Sequence, residues 1–153
     1  LIYPGLVQRM SAGTGIQHSE RNDAEEPVHY VQMWVRPGEY DLTPSYQQQD
    51  VTDLLATGDL VPIASGLAKD AGATAVTVNQ SRAGLSAARL GPGQSFLLPA
   101  IPHAHLFVAL GNINLEAAGE LAGGDAARIA GADGQRVTAA GAGAEVLLWS
   151  MAD

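Results

Sequence analysis

The sequence predicts an all-β protein, and three observations carry that prediction. From Leu60 onward, short runs of β-branched and apolar residues recur every 8–12 positions, separated by glycine turns such as Gly91-Pro92-Gly93, Gly111-Asn112, Gly123-Gly124-Asp125 and Asp133-Gly134. That rhythm is the signature of a β-sandwich or barrel. No run is long and periodic enough for a substantial helix. Glycine is abundant at 18 residues and proline adds 8, which many tight turns between short strands require.

Taken in order, Leu1 to Val7 is short, apolar and broken by Pro4-Gly5. Gly13-Thr14-Gly15 makes a tight turn feeding a strand through His18 and Glu20. Asp23 to Pro27 is polar and proline-ended, a loop. Val28 to Val35 is rich in β-branched and aromatic residues and reads as a strand with both faces at least partly covered, Trp34 and Tyr30 on one side. Trp34 is expected as a packed core residue. Arg36-Pro37-Gly38 ends that strand, and Tyr40 to Gln49 is extended because Pro44 biases Thr43 away from helix. Asp50 to Thr57 predicts one or two helical turns, capped by Thr52 or Asp50 and closed by Gly58 in the left-handed conformation. Strands are then expected at Leu60–Ala64, Thr74–Val78, Ala87–Leu90, Ser95–Leu98, His105–Leu110, Ile113–Ala117, Ala126–Ile129, Arg136–Ala139 and Glu145–Trp149. The alanine-rich stretch from Ala117 to Ala144 has helical propensity, but its glycines make a helix there expensive.

A chain of 153 residues accommodates one full domain and a remnant of another. Hydrophobic residues are 46% and charged residues only 16%, a globular rather than disordered composition. A formal net charge of −8 argues against direct binding to nucleic acid or to an anionic membrane. No segment approaches the ~18 consecutive apolar residues of a membrane span. Cysteine is absent, so disulfides and thiolate chemistry are excluded. This composition fits a cytoplasmic protein.

The chemistry-bearing stretch is His18-Ser19-Glu20. On a strand, residues two apart face the same way, so an imidazole and a carboxylate can each give an atom to one metal ion. By itself the pair also fits a polar strand face wetted by solvent. Its surroundings decide otherwise. Met10-Ser11-Ala12-Gly13-Thr14-Gly15-Ile16-Gln17-His18-Ser19-Glu20 closely resembles the signature of the pirin family of bicupins. Tyr30 to Pro37 and Pro44 to Gln48 also resemble pirin segments; the match is specific over Gln8 to Gln48 and diffuse beyond.

The resemblance implies a cupin fold, a jelly-roll-like double-stranded β-helix. It implies the C-terminal part of a first barrel at 1–49, a short helical linker at 50–59 and a complete, antiparallel, metal-free second barrel at 60–153. In the family, His18 and Glu20 match the last two of four metal ligands, the first two being histidines on an earlier strand. This sequence starts too close to the signature to hold them, so the expectation is a longer protein cut inside its first barrel. The implied cofactor is a divalent metal, iron(II) first, with nickel, manganese, cobalt or zinc as alternatives; this short chain is expected not to retain it. The implied activity is that of a quercetin 2,3-dioxygenase, oxidative opening of a flavonol ring, with Glu20 as ligand or as general base. The other class is a non-catalytic metal-binding pirin that regulates transcription through protein partners. A flavonoid-like small molecule is the expected ligand of the intact protein. A homodimer, or association through the open first-barrel remnant, is the expected assembly.

His103-Ala104-His105 is a second tempting pair, with Gly93 upstream as general cupin patterns have it. Phe107 to Leu110 stand where a ligating glutamate is needed, and Ala126 to Ala132 contains no histidine, so this pair is expected to bind no metal. His29 and the Glu25-Glu26 pair are expected to be ordinary solvated residues. There is no Gly-x-Ser-x-Gly elbow and no dinucleotide-type glycine loop.

Overall fold

The computed structural model describes residues 1–153. Its secondary structure is mostly strand. β1 (Leu6–Ser11) and β2 (Ser45–Asp50) form an antiparallel ribbon, with Leu6 opposite Asp50 and Ser11 opposite Ser45. A single helical turn, α1 (Thr52–Leu55), follows. Then come β3 (Val61–Ser65), β4 (Val76–Thr77), β5 (Ala83–Leu90), β6 (Ser95–Leu97), β7 (Ile101–Leu115), β8 (Gly119–Ala122), β9 (Ala126–Ala132) and β10 (Arg136–Met151).

β7 and β10 organise the larger sheet because each is long enough to serve two layers. Ile101 to Phe107 of β7 pair with β9, and Asn112 to Leu115 pair with β8. Arg136 to Thr138 of β10 pair with β6, and Ala144 to Met151 pair with β5. The register between β7 and β10 breaks between Ala140 and Ala144, where Gly111, Gly141 and Gly143 all have positive φ. The sheet bends there and folds over itself, as a bulge does when it must turn a corner. A side chain at Gly111 would collide with the Gly143 carbonyl oxygen.

Fourteen buried residues fill the space between the layers, among them Leu106, Val108, Ile113, Val137, Val146 and Leu148, each fully buried. A second cluster lies on the outer face of the β5–β10–β7 layer. There Leu85, Ala87, Leu147 and Ala109 meet Val51 and Leu55, with Val7 and Val31 packed against them. α1 is therefore held by tertiary burial rather than by its own propensity, as a four-residue helix must be. Asp50 Oδ1 accepts the Thr52 amide at 2.8 Å, and Gly58, at φ +78°, ends the turn. The Thr52 contacts hold the Asp50 carboxyl below the usual aspartate range, with Tyr3 adding to the effect. Gln47 and Ser11 fasten the β1–β2 ribbon to the larger sheet through Thr77 (2.9 Å) and Asn79 (3.2 Å).

The structure corrects several sequence expectations. Val28 to Val35 forms no strand, and neither does the stretch through His18 and Glu20; the strand lies before the glycine turn, as β1, not after it. Between Gly15 and Gly38 the main chain makes no backbone–backbone hydrogen bond. Alternating side chains specify a strand only when a neighbour completes the ladder, and no strand lies beside this segment. Trp34 is accordingly 92% exposed rather than packed in a core. The expected strand pairs 105–110/113–117 and 136–139/145–149 are single strands, because Gly111 stays in the ladder opposite Ala144 and residues 141–143 form a bulge rather than a turn. β8 was not anticipated. β3 and β4 run parallel, so the larger sheet is not purely antiparallel.

Candidate functional site

The His18–Glu20 pair sits on an irregular, exposed segment, yet its two side chains converge. His18 Nδ1 lies 3.9 Å from Glu20 Oε1, with about two-fifths of each side chain exposed. Adjacent donors around a single ion, at bonds of about 2.0–2.2 Å, lie roughly 3–3.5 Å apart. At 3.9 Å the two atoms stand slightly farther apart than that. Imidazole and carboxylate together suit a borderline divalent metal. The pair fills two positions of a coordination sphere; no cluster of three or more histidine, cysteine or acidic residues forms anywhere in the chain.

Sequence reasoning missed Tyr30. Its hydroxyl donates to Glu20 Oε2 at 3.0 Å, leaving Oε1 turned toward His18. That bond, reinforced by the carboxylate's charge, raises the phenol above the usual tyrosine value of 10.0. The loop between them makes the meeting possible. Asn22 Nδ2 donates to the Glu26 carbonyl at 2.8 Å, and Asn22 Oδ1 accepts the Ala24 amide at 3.2 Å. This asparagine turn sends the chain back on itself, and the Asn22…Pro27 composition was the available signal. His29, Glu25 and Glu26 are exposed, and none joins the pair.

His103 and His105 lie on β7 with Ala104 and Leu106, and the alternation decides their role. Ala104 and Leu106 point into the core between the layers. The two imidazoles share the opposite, outer face of the sheet. His103 Nε2 lies 3.1 Å from Asp153 Oδ1, its one carboxylate neighbour.

Comparison with known proteins agrees with this architecture. The family model described as Pirin matches residues 1–35. A Mycobacterium tuberculosis (strain H37Rv) protein named "Putative quercetin 2,3-dioxygenase" is 55% identical over 153 residues, covering 99% of this chain and 61% of the relative. The Escherichia coli K12 protein named "Quercetin 2,3-dioxygenase" is 50% identical over 46 residues, 29% of this chain and 20% of that protein. The crystal structure of the Escherichia coli bacterial pirin YhhW in complex with nickel(II) superposes with a TM-score of 0.76 at 29% identity, covering 97% of this chain and 62% of that one. The chain thus spans about three-fifths of the length of the curated relatives it matches over its whole extent. From its signature residues, its folded-over β-sheet and these likenesses together, the chain is a cupin-like all-β protein similar to the pirins, the pirin family match itself spanning residues 1–35.

Proposed function

We propose that His18 and Glu20 supply two ligands to a divalent metal in the protein at the full length of its relatives, and that this centre serves flavonol oxygenation of the quercetin 2,3-dioxygenase type. The observation that carries the proposal is the convergence of His18 Nδ1 and Glu20 Oε1 at 3.9 Å on an otherwise irregular segment. The names of the mycobacterial and Escherichia coli relatives support the substrate class, and the nickel(II) complex of YhhW supports a divalent metal. In this reading residues 1–49 carry the metal signature, 50–59 link, and 60–153 form the metal-free barrel that braces them.

A divalent metal supplies Lewis acidity and a binding position for the flavonol's 3-hydroxyl. The chain's own residues do the rest. His18 and Glu20 fix the position, and Tyr30 holds Glu20 Oε2 so that only Oε1 faces His18. Glu20 serves through Oε1 either as metal ligand or, in the alternative, as the general base that takes the hydroxyl proton. Ligand count limits the 153-residue chain: two donors do not enclose an ion, since a catalytic metal is retained by about three protein ligands. The test is carbon monoxide release from quercetin by the protein at its relatives' length, supplied with iron(II) or nickel(II), against the same protein carrying Glu20→Ala. Loss of at least about a hundredfold supports the assignment. Turnover undiminished by the substitution overturns it.

A further inference from the structure

A groove of about 790 Å³ runs over the outer face of the larger sheet, away from His18 and Glu20. Its floor is a cross-strand row: Trp149 lies opposite His105, and His105 lies opposite Arg128. Met151, His103 and Ala130 form the next row on the same face. One wall is the irregular segment Met33 to Arg36. That wall is fastened at both ends. Trp149 Nε1 donates to Met33 Sδ at 3.2 Å, and Gln80 Nε2 donates to the Arg36 carbonyl at 3.0 Å. The Gly38 amide adds a bond to the Asn79 carbonyl at 2.7 Å.

The composition of the groove departs from that of the molecule. The chain's net charge is −8, yet no aspartate or glutamate lines the groove, while Arg36 and Arg128 both do. Arg36 is engaged by Tyr40, its Nε lying 2.8 Å from the hydroxyl. The Asp153 carboxylate at the rim is matched to His103. Arg128 makes neither an ion pair nor a side-chain hydrogen bond in the structure, so its planar, bidentate donor set is open. Both tryptophans of the chain line the same space, and Trp34 is almost wholly exposed. A groove of this volume lies in the range of small-molecule sites. Exposed indole faces select flat rings, and an unpaired guanidinium selects a carboxylate or similar anion.

We propose that this groove binds a planar aromatic anion, with Arg128 gripping the anionic group and Trp34 and Trp149 stacking on the ring. The site shares no residue with the His18–Glu20 pair.

The experiment uses the 153-residue chain with a chelator present, so that metal plays no part. 2-Naphthoate is titrated by calorimetry and followed by tryptophan emission, which reports only from this groove because both tryptophans lie in it. The neutral isostere 2-naphthamide and the non-aromatic cyclohexanecarboxylate serve as controls. Saturable 2-naphthoate binding is expected, weakened about tenfold or more by Arg128→Gln, by loss of the charge in 2-naphthamide, and by loss of the aromatic ring in cyclohexanecarboxylate. Trp34→Ala should weaken it severalfold with an unchanged thermal midpoint, which excludes unfolding as the cause. Absent saturation, equal binding of 2-naphthamide, or an Arg128→Gln variant that binds normally would overturn the proposal. So would tryptophan emission that naphthoate does not shift at a fixed protein concentration.

Discussion

At the scale of residues, Tyr30 and Glu20 define each other. The phenol's bond to Glu20 Oε2 keeps the proton on tyrosine to higher pH than usual. A raised folded-state value means that the contact contributes fully below the ordinary tyrosine value and is lost as pH rises through the elevated one. Glu20→Gln removes the charge that causes the shift. The expected outcome in a tyrosinate absorbance titration is that one of the chain's four tyrosines moves to lower pH in Glu20→Gln. A superimposable titration would show that the two side chains do not meet in solution. The pairing of His18 with Glu20 was legible in the sequence, through the residues around it. Tyr30 was not, because its approach depends on the Asn22 turn closing a ten-residue loop. Nor could the sequence say which way His103 and His105 face. Alternation puts them on one side, but the register of β7 against β9 and β10 decides which side is the interior.

Among the elements, the bulge where β7 crosses β10 shapes the fold. Gly111, at φ +73°, packs against the Gly143 carbonyl, so Gly111→Ala meets both a strained backbone and a collision. The expected cost is about 2–4 kcal/mol, lowering the thermal midpoint by roughly 4–16 °C for a chain of this size. Gly134→Ala has the backbone strain without the collision, since nothing lies within 4 Å of the added carbon, and should cost less in the same melt. Equal midpoints for the two variants would refute the bulge's close packing. This corner also shows where element boundaries escaped the sequence. A glycine with positive φ serves a turn and a strand corner alike, and only the 141–143 bulge of β10, over thirty positions away, keeps Gly111 in the ladder. The short helix was readable from Asp50 and Gly58, although Val51 rather than Thr52 or Asp50 takes the N-cap position and only tertiary burial of Leu55 holds the turn.

Across the whole molecule, the contrast is between the layered barrel and the segment from Gly15 to Gly38. Most of the barrel's strands from Leu60 on were legible from alternation and glycine turns, but not β8 or the continuity of β7 and β10. The segment was misread because a strand is a property of two chains of backbone, and its alternation has no partner here. It exposes Val28, Tyr30 and Trp34 as well as its unbonded backbone. Open edges and apolar patches of this kind recruit further chain. We expect a second copy to pair with it as concentration rises, so that light scattering shows a dimer of the 15.8 kDa chain while amides of 16–37 gain protection from hydrogen exchange. In dilute solution those amides should exchange freely while β7 and β10 remain protected. A monomer at every concentration with 16–37 protected would contradict this picture.

Nickel(II) titration followed by paramagnetic broadening in NMR decides whether His18 and Glu20 form the proposed metal-binding pair. The competitor is internal: His103 and Asp153 also bring an imidazole and a carboxylate together, at 3.1 Å. The account predicts weak binding that dialysis reverses. Signals of Ser19, Glu20 and Tyr30 should broaden first, and that broadening should vanish in His18→Ala and in Glu20→Ala. Broadening that begins around His103, or that survives both substitutions at His18 and Glu20, would contradict it.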